Sequence, residues 1–199
     1  KSGSANAYIQ QYDAEDDQYY GIYVYGGYNS ITNLIEGCSV QITGKIGYYY
    51  GSLQITDINS DSQISILSPV DKNQIVTREE KISNIDDIYA YSKIGSLVTL
   101  HNLTVYDYND SQNNSATTLK CHYIDENGNQ KQFNVRIAKE IALYDPITKK
   151  QISSGEYFVG KTFETITGML AYYNGADKTP YSNGHMQLAL SSMDDVIFK

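Results

Sequence analysis

Tryptophan is absent from this 199-residue chain, and phenylalanine (4), proline (3), methionine (3) and cysteine (2) are scarce. Two cysteines exclude a disulfide-dense scaffold and a four-cysteine zinc site, and Cys38 and Cys121 are expected to be independent thiols. No apolar run approaches the roughly 20 residues of a membrane-spanning helix. Cations are the minority, 15 Lys+Arg against 23 Asp+Glu for a net charge of −8. That balance excludes coating a nucleic-acid duplex by charge alone, which needs many cations on one face. The phosphate-binding loop, the dinucleotide glycine fingerprint and the His-Glu-x-x-His zinc motif are all missing. His101, His122 and His185 stand beside no nucleophile motif, and Cys121 and His122 are neighbours on a strand whose side chains diverge. Asp194-Asp195 beside Ser191-Ser192 reads as a strand-end cap before it reads as a metal site. The chain is therefore expected to be non-catalytic, with no cofactor and no metal.

What the chain has is tyrosine, 20 residues of it, in a composition that is 41% hydrophobic and 19% charged. Such a mixture packs a core, and wholesale disorder is excluded. The length allows one large domain or two small ones. Abundant Tyr, Asn and Ser with few Arg suggests an extracytoplasmic surface. The start, Lys1-Ser2-Gly3-Ser4, reads as that of a trimmed fragment.

An internal repeat decides between one domain and two. Gly44-Lys45-Ile46-Gly47-Tyr48-Tyr49-Tyr50-Gly51, followed by Leu53-Gln54-Ile55, matches Gly168-Met169-Leu170-Ala171-Tyr172-Tyr173-Asn174-Gly175, followed after an insertion by Met186-Gln187-Leu188. Each copy has a glycine and a β-rich lead-in before it and an Asp-containing polar exit after it. Two copies of one small β domain are expected, at 1–70 and 95–199, with 71–94 as connector.

Alternation places strands at 8–12, 20–25, 38–46 and 52–58 in the first copy. The acidic run Asp13 to Asp17 forms a hairpin loop, and 29–36 is a connector with room for one helical turn. In the second copy, strands fall at 97–106, 119–124, 132–137, 162–173 and 185–191. Asn127-Gly128 turns one hairpin, and 138–143 is expected to be a short helix. Five strands with a helix between the third and fourth is the order of an OB-fold, a Greek-key barrel. The fold class is all-β, two tandem OB-folds, the first without its leading strand. In the connector, Thr77-Arg78-Glu79-Glu80 resembles a helix start with Thr77 as cap, continued by Ile82, Ile85 and Tyr89 at helical spacing.

The pattern Tyr8-Ile9-Gln10, Gly21-Ile22-Tyr23-Val24-Tyr25, Glu36-Gly37, Val40-x-Ile42-x-Gly44, Tyr49-x-Gly51 and Gln54-Ile55 resembles the OB-fold domains attached to secreted bacterial nucleases. It is also similar to domains of envelope lipoproteins ascribed nucleic-acid binding. In that family an Asp usually follows Tyr-Ile-Gln; here Gln11 stands there. The resemblance is strong over 8–58 and loose over 95–199. It implies a nucleic-acid-binding role in a secreted or surface-anchored bacterial protein.

OB-folds bind single strands on the outer face of their second and third strands, through stacking aromatics and a cationic groove. With Ile22 and Val24 inward, Tyr8, Gln10, Tyr23 and Tyr25 face outward around Gly21, a tyrosine platform with a bare glycine patch. With Phe133, Val135 and Ile137 inward, Lys120, His122, Asn134 and Arg136 face outward. Residues 116–161 hold seven cations against five acids, whereas 1–70 hold two against seven. These eight outward residues are the candidate ligand-binding set, with single-stranded nucleic acid as candidate ligand. Two alternatives stay open. Outward tyrosines also suit β-propensity and packing on a partner, as in a protein-interaction or structural module with an open strand edge. They also stack on sugar rings, as in a glycan-binding module.

Overall fold

The structure is a computed structural model that describes residues 6–27, 31–82, 93–111, 116–175 and 184–199. The chain divides into two compact units. The first comprises Lys1–Val76, Lys93–Ser96 and Tyr173–Gly184; the second comprises Thr77–Ser92, Leu97–Tyr172 and His185–Lys199.

In the second unit, alternating apolar residues build β8 (Leu97–Asp110), β9 (Thr117–Ile124), β10 (Gln130–Ile137), β11 (Thr162–Tyr173) and β12 (His185–Leu190). Neighbours run β11-β12-β10-β9-β8, and β8 pairs back onto β11, so the sheet closes. β10 and β12 are parallel, while β8 is antiparallel to both β9 and β11. This closed five-strand Greek-key barrel has the strand order of an OB-fold. Closing a small barrel requires strongly coiled strands. Asn102, at φ 60°, and a bulge between Val105 and Asp107 bend β8 where it passes from β11 to β9. Inside lie Leu100, Leu103, Val105, Leu119, Cys121, Phe133, Val135, Ile166, Leu170 and Leu188, all essentially buried.

The helix expected over 138–143 is replaced by turns. Asp145 binds the amides of Ile147 and Thr148, fixing a turn through Pro146 that ends in a Tyr144–Gln151 bridge. A 3-10 turn forms later, at Gly155–Phe158, capped by Ser154. It inserts the fully buried Phe158 between the rings of Tyr157, Phe163 and Phe198. A second correction concerns Thr77–Glu80. Arg78–Glu79 is a short strand, β7, parallel to β8. The amide of Glu80 donates to the carbonyl of Thr99, so an available sheet edge overrides the local cap pattern. Ile85 and Tyr89 lie outside the described residues. After β12, a 3-10 turn (Met193–Asp195) leads into β13 (Val196–Phe198), which pairs with β11.

The first unit contains β1 (Asn6–Asp13), β2 (Gln18–Tyr25), β3 (Ser39–Ile42), β4 (Lys45–Tyr49), β5 (Ser52–Thr56) and β6 (Ile64–Ser68). Its larger sheet has the order β1-β2-β5-β4, with β2 and β5 parallel; β3 pairs with β6. Among the described residues it is not closed. The strand expected over 38–46 is broken at Thr43-Gly44. A side chain on Gly44 would meet Ile55 and Ile58 at 2.6 and 2.7 Å. The one helical turn allowed in the connector is absent over 31–36. The core is small: Val24, Ile58 and Ile64 are buried, with Ile9, Ile31, Leu34, Val40, Ile42 and Ile55 half-buried around them.

Candidate nucleic-acid interface

The eight outward residues form two sets of four in matching registers. Across the second unit, Lys120 faces Asn134, which faces Gln187. Across the first, Tyr8 faces Tyr23, which faces Gln54. Gln10 and Tyr25 in one unit take the places of His122 and Arg136 in the other. The repeated glutamine of the sequence motif therefore lies on the same sheet face as the candidate residues in both units.

On the second unit this face is polar and half-buried. Asn134 and His185 approach at 3.1 Å, and Arg136 donates to the Thr118 hydroxyl at 3.1 Å. The His122 ring lies 5.9 Å from that of Tyr106, tilted by 35°, and Tyr106 is 39% exposed. His122 Nδ1 is buried and has no hydrogen-bond partner among the described residues. Lys120 is held by Asp107 at 2.6 Å. That hydrogen bond raises the lysine pKa and, reciprocally, lowers that of Asp107. Arg136 is thus the cation on this face to which no carboxylate is bonded among the described residues. The arrangement offers an aromatic edge, amides that donate and accept, and a guanidinium, which suits a base and its phosphate. Tyr106, His185 and Gln187 were not among the sequence candidates. Alternation through Leu103 and Val105 already turned Tyr106 outward, and the repeat already paired Gln187 with Gln54.

On the first unit the tyrosine face is occupied. A side chain on Gly21 would fall 2.2 Å from the backbone of Gly95, so the glycine patch is covered, not bare. Gln10 donates to the Val76 carbonyl, and Ser96 donates to that of Tyr19. Tyr8 and Tyr23 pack at 4.9 Å with rings inclined by 59°, so they present no coplanar platform. Burial, with Tyr23 adding to it, pushes the Tyr8 phenol well above its usual range. Tyr25 stays 36% exposed. In the acidic loop, Asp17 and Asp16 accept from the hydroxyls of Tyr12 and Tyr20 at 2.7 and 2.5 Å, and Asp13 accepts from the Glu15 amide.

An open cleft of about 620 Å³ lies elsewhere on the second unit, between Glu79, Glu80, His101, Asn102, Asp125 and Glu126. Its carboxylates repel phosphate, so the cleft is unsuited to a nucleic-acid backbone.

No family model matches the chain, and none of the curated proteins does. Among solved structures, a deletion mutant of the single-stranded DNA binding protein from Thermus aquaticus is similar at 11% identity and a TM-score of 0.27. The match covers 94% of this chain and 78% of that one. At that score the likeness carries no weight, and the fold assignment stands on strand order alone.

Proposed function

We propose that the chain is a non-catalytic module built from two copies of the OB-fold plan and that it binds single-stranded nucleic acid on the outer face of β9, β10 and β12. The observation that carries this reading is the position of Lys120, His122, Asn134 and Arg136, beside Tyr106, on the barrel surface that OB-folds use for single strands. Strand order supports the two-copy part: β1-β2-β5-β4 in the first unit repeats β9-β10-β12-β11 in the second. Among the described residues, no strand of the first unit takes the place that β8 has in the second. Its covered tyrosine face leaves the second unit as the ligand-binding one. The resemblance of residues 8–58 to domains of secreted bacterial nucleases and envelope lipoproteins favours an extracytoplasmic setting, with any catalytic domain lying outside these residues.

With a net charge of −8, binding is weak and depends on low salt. Fluorescence anisotropy with a labelled oligothymidylate of about 12 nucleotides tests it. Binding at about 20 mM salt that fades by about 200 mM is expected. Absence of binding at low salt overturns the reading.

A further inference from the structure

We propose that the single-strand face of the second unit is proton-linked: His122 and His185 take up protons from solvent as a strand binds, so that acidification tightens the complex. The inference rests on the nucleic-acid reading above. The chain has three histidines, and two of them lie on this one face. His122, on β9, stands opposite Gln132 on β10. His185, two positions before Gln187 on β12, approaches Asn134 of β10 at 3.1 Å. The two imidazoles therefore flank β10, the strand that carries Arg136. The third, His101, is bonded to Glu79 at 2.5 Å beside the acidic cleft.

Histidine is the side chain whose charge changes between about pH 5 and 8. On β8, His122 is faced by Thr104 and the Tyr106 ring, and the nearby carboxylate of Asp107 is already bonded to Lys120 at 2.6 Å. On β10, Gln132 and Asn134 are uncharged and Arg136 is a cation. On the far side of β12, β11 carries one carboxylate, Glu164, near its start and the phenols of Tyr172 and Tyr173 at its end. An opposite charge favours the charged form of a titrating group. A phosphate diester laid across β10 therefore favours both imidazolium ions, and by linkage these favour the phosphate. Nδ1 of His122 is buried, so Nε2 is the nitrogen that meets the ligand. At His185 the proton does more than add charge. The Asn134 Nδ2 group faces His185 Nε2, an arrangement in which the amide donates to a neutral ring. A protonated ring only donates, so the amide turns over, Oδ1 accepts, and Nδ2 comes to the place Oδ1 held. One proton thus adds a cation and replaces an acceptor by a donor beside the strand.

The test uses the full chain and labelled oligothymidylate of about 12 nucleotides at about 20 mM salt. Neither its bases nor its diesters gain a proton between pH 8 and pH 5.5. Binding about fivefold tighter or more at pH 5.5 than at pH 8 is expected. The salt dependence steepens on acidification by about 0.7 in log–log slope for each added phosphate contact. His122→Gln combined with His185→Gln removes the difference between the two pH values, whereas His101→Gln leaves it as in the unaltered chain. Proton uptake is read without any substitution, by calorimetry at pH 6.5 in two buffers of different ionisation enthalpy. Equal affinity at both pH values, no proton uptake, or a pH dependence that survives the double substitution overturns the proposal and leaves the nucleic-acid reading standing. Absence of binding at both pH values overturns that reading, and the proposal with it.

Discussion

At the scale of single residues, charge at the candidate face is set by pairing more than by number. Lys120 is neutralised by Asp107 and Arg136 is not. Arg136→Ala is therefore expected to weaken oligonucleotide binding and to flatten its salt dependence by about 0.7 in log–log slope, one single-strand phosphate contact. Asp107→Asn is expected to strengthen binding by releasing Lys120. Anisotropy titrations at several salt concentrations check both. A second residue-scale prediction concerns acid. The Tyr157 hydroxyl, the largest influence, and the Thr148 amide hold the Asp145 carboxyl down at about 2. A carboxyl lowered in the folded state stabilises above its unfolded pKa, near 3.9, and that stabilisation is lost as pH falls through the folded value. Tyr157→Phe should then reduce stability at pH 7 and flatten its fall between about pH 4 and pH 2, as urea unfolding would read. The candidate residues were legible because period two fixes which side chains leave the core. The covering of Gly21 was not, because Gly95 lies 74 positions away and no local pattern announces so long-range a contact.

At the scale of elements, long alternating runs were the readable part. The strand at 162–173 was expected from sequence and is found with those limits, since Phe163, Ile166, Leu170 and Tyr172 all turn into the barrel. Short elements were less readable. Thr77–Glu80 carries a helix-start signal but takes the edge of β8, and the short helix expected at 138–143 is absent, turns standing in its place. In the first case pairing with β8 outweighs a preference of a few tenths of a kcal/mol per residue. Phe158→Ala should cost about 3–5 kcal/mol by opening a cavity beside Phe163 and Phe198. Gly21→Ala should cost about 1–3 kcal/mol by forcing Gly95 off β2. Equilibrium urea unfolding followed by tyrosine fluorescence measures each. An unchanged midpoint for Gly21→Ala would mean that residues 93–96 do not seat on the tyrosine face.

At the scale of the whole molecule, the two units differ in core and so in stability. The second encloses most of the fully buried side chains among the described residues, while the first is organised around Val24, Ile58 and Ile64. Native-state hydrogen exchange should accordingly release the amides of β1 to β5 before those of β8 to β12. Within the second unit Cys121 is enclosed by the barrel, and burial lifts its thiol to about 12. It should resist a thiol reagent at pH 8 until that barrel unfolds, whereas the half-buried Cys38 should react earlier. Equal reaction rates would show that the barrel opens as readily as the smaller unit.

The central claim is that the polar outer face of the closed barrel is where a single strand lies. Backbone amide chemical shifts, followed by NMR as oligothymidylate is added at low salt, test it most directly. The account predicts shifts concentrated at residues 118–122, 132–136 and 185–187. Shifts confined to β1 and β2, or none at oligonucleotide concentrations of about 1 mM, would contradict it.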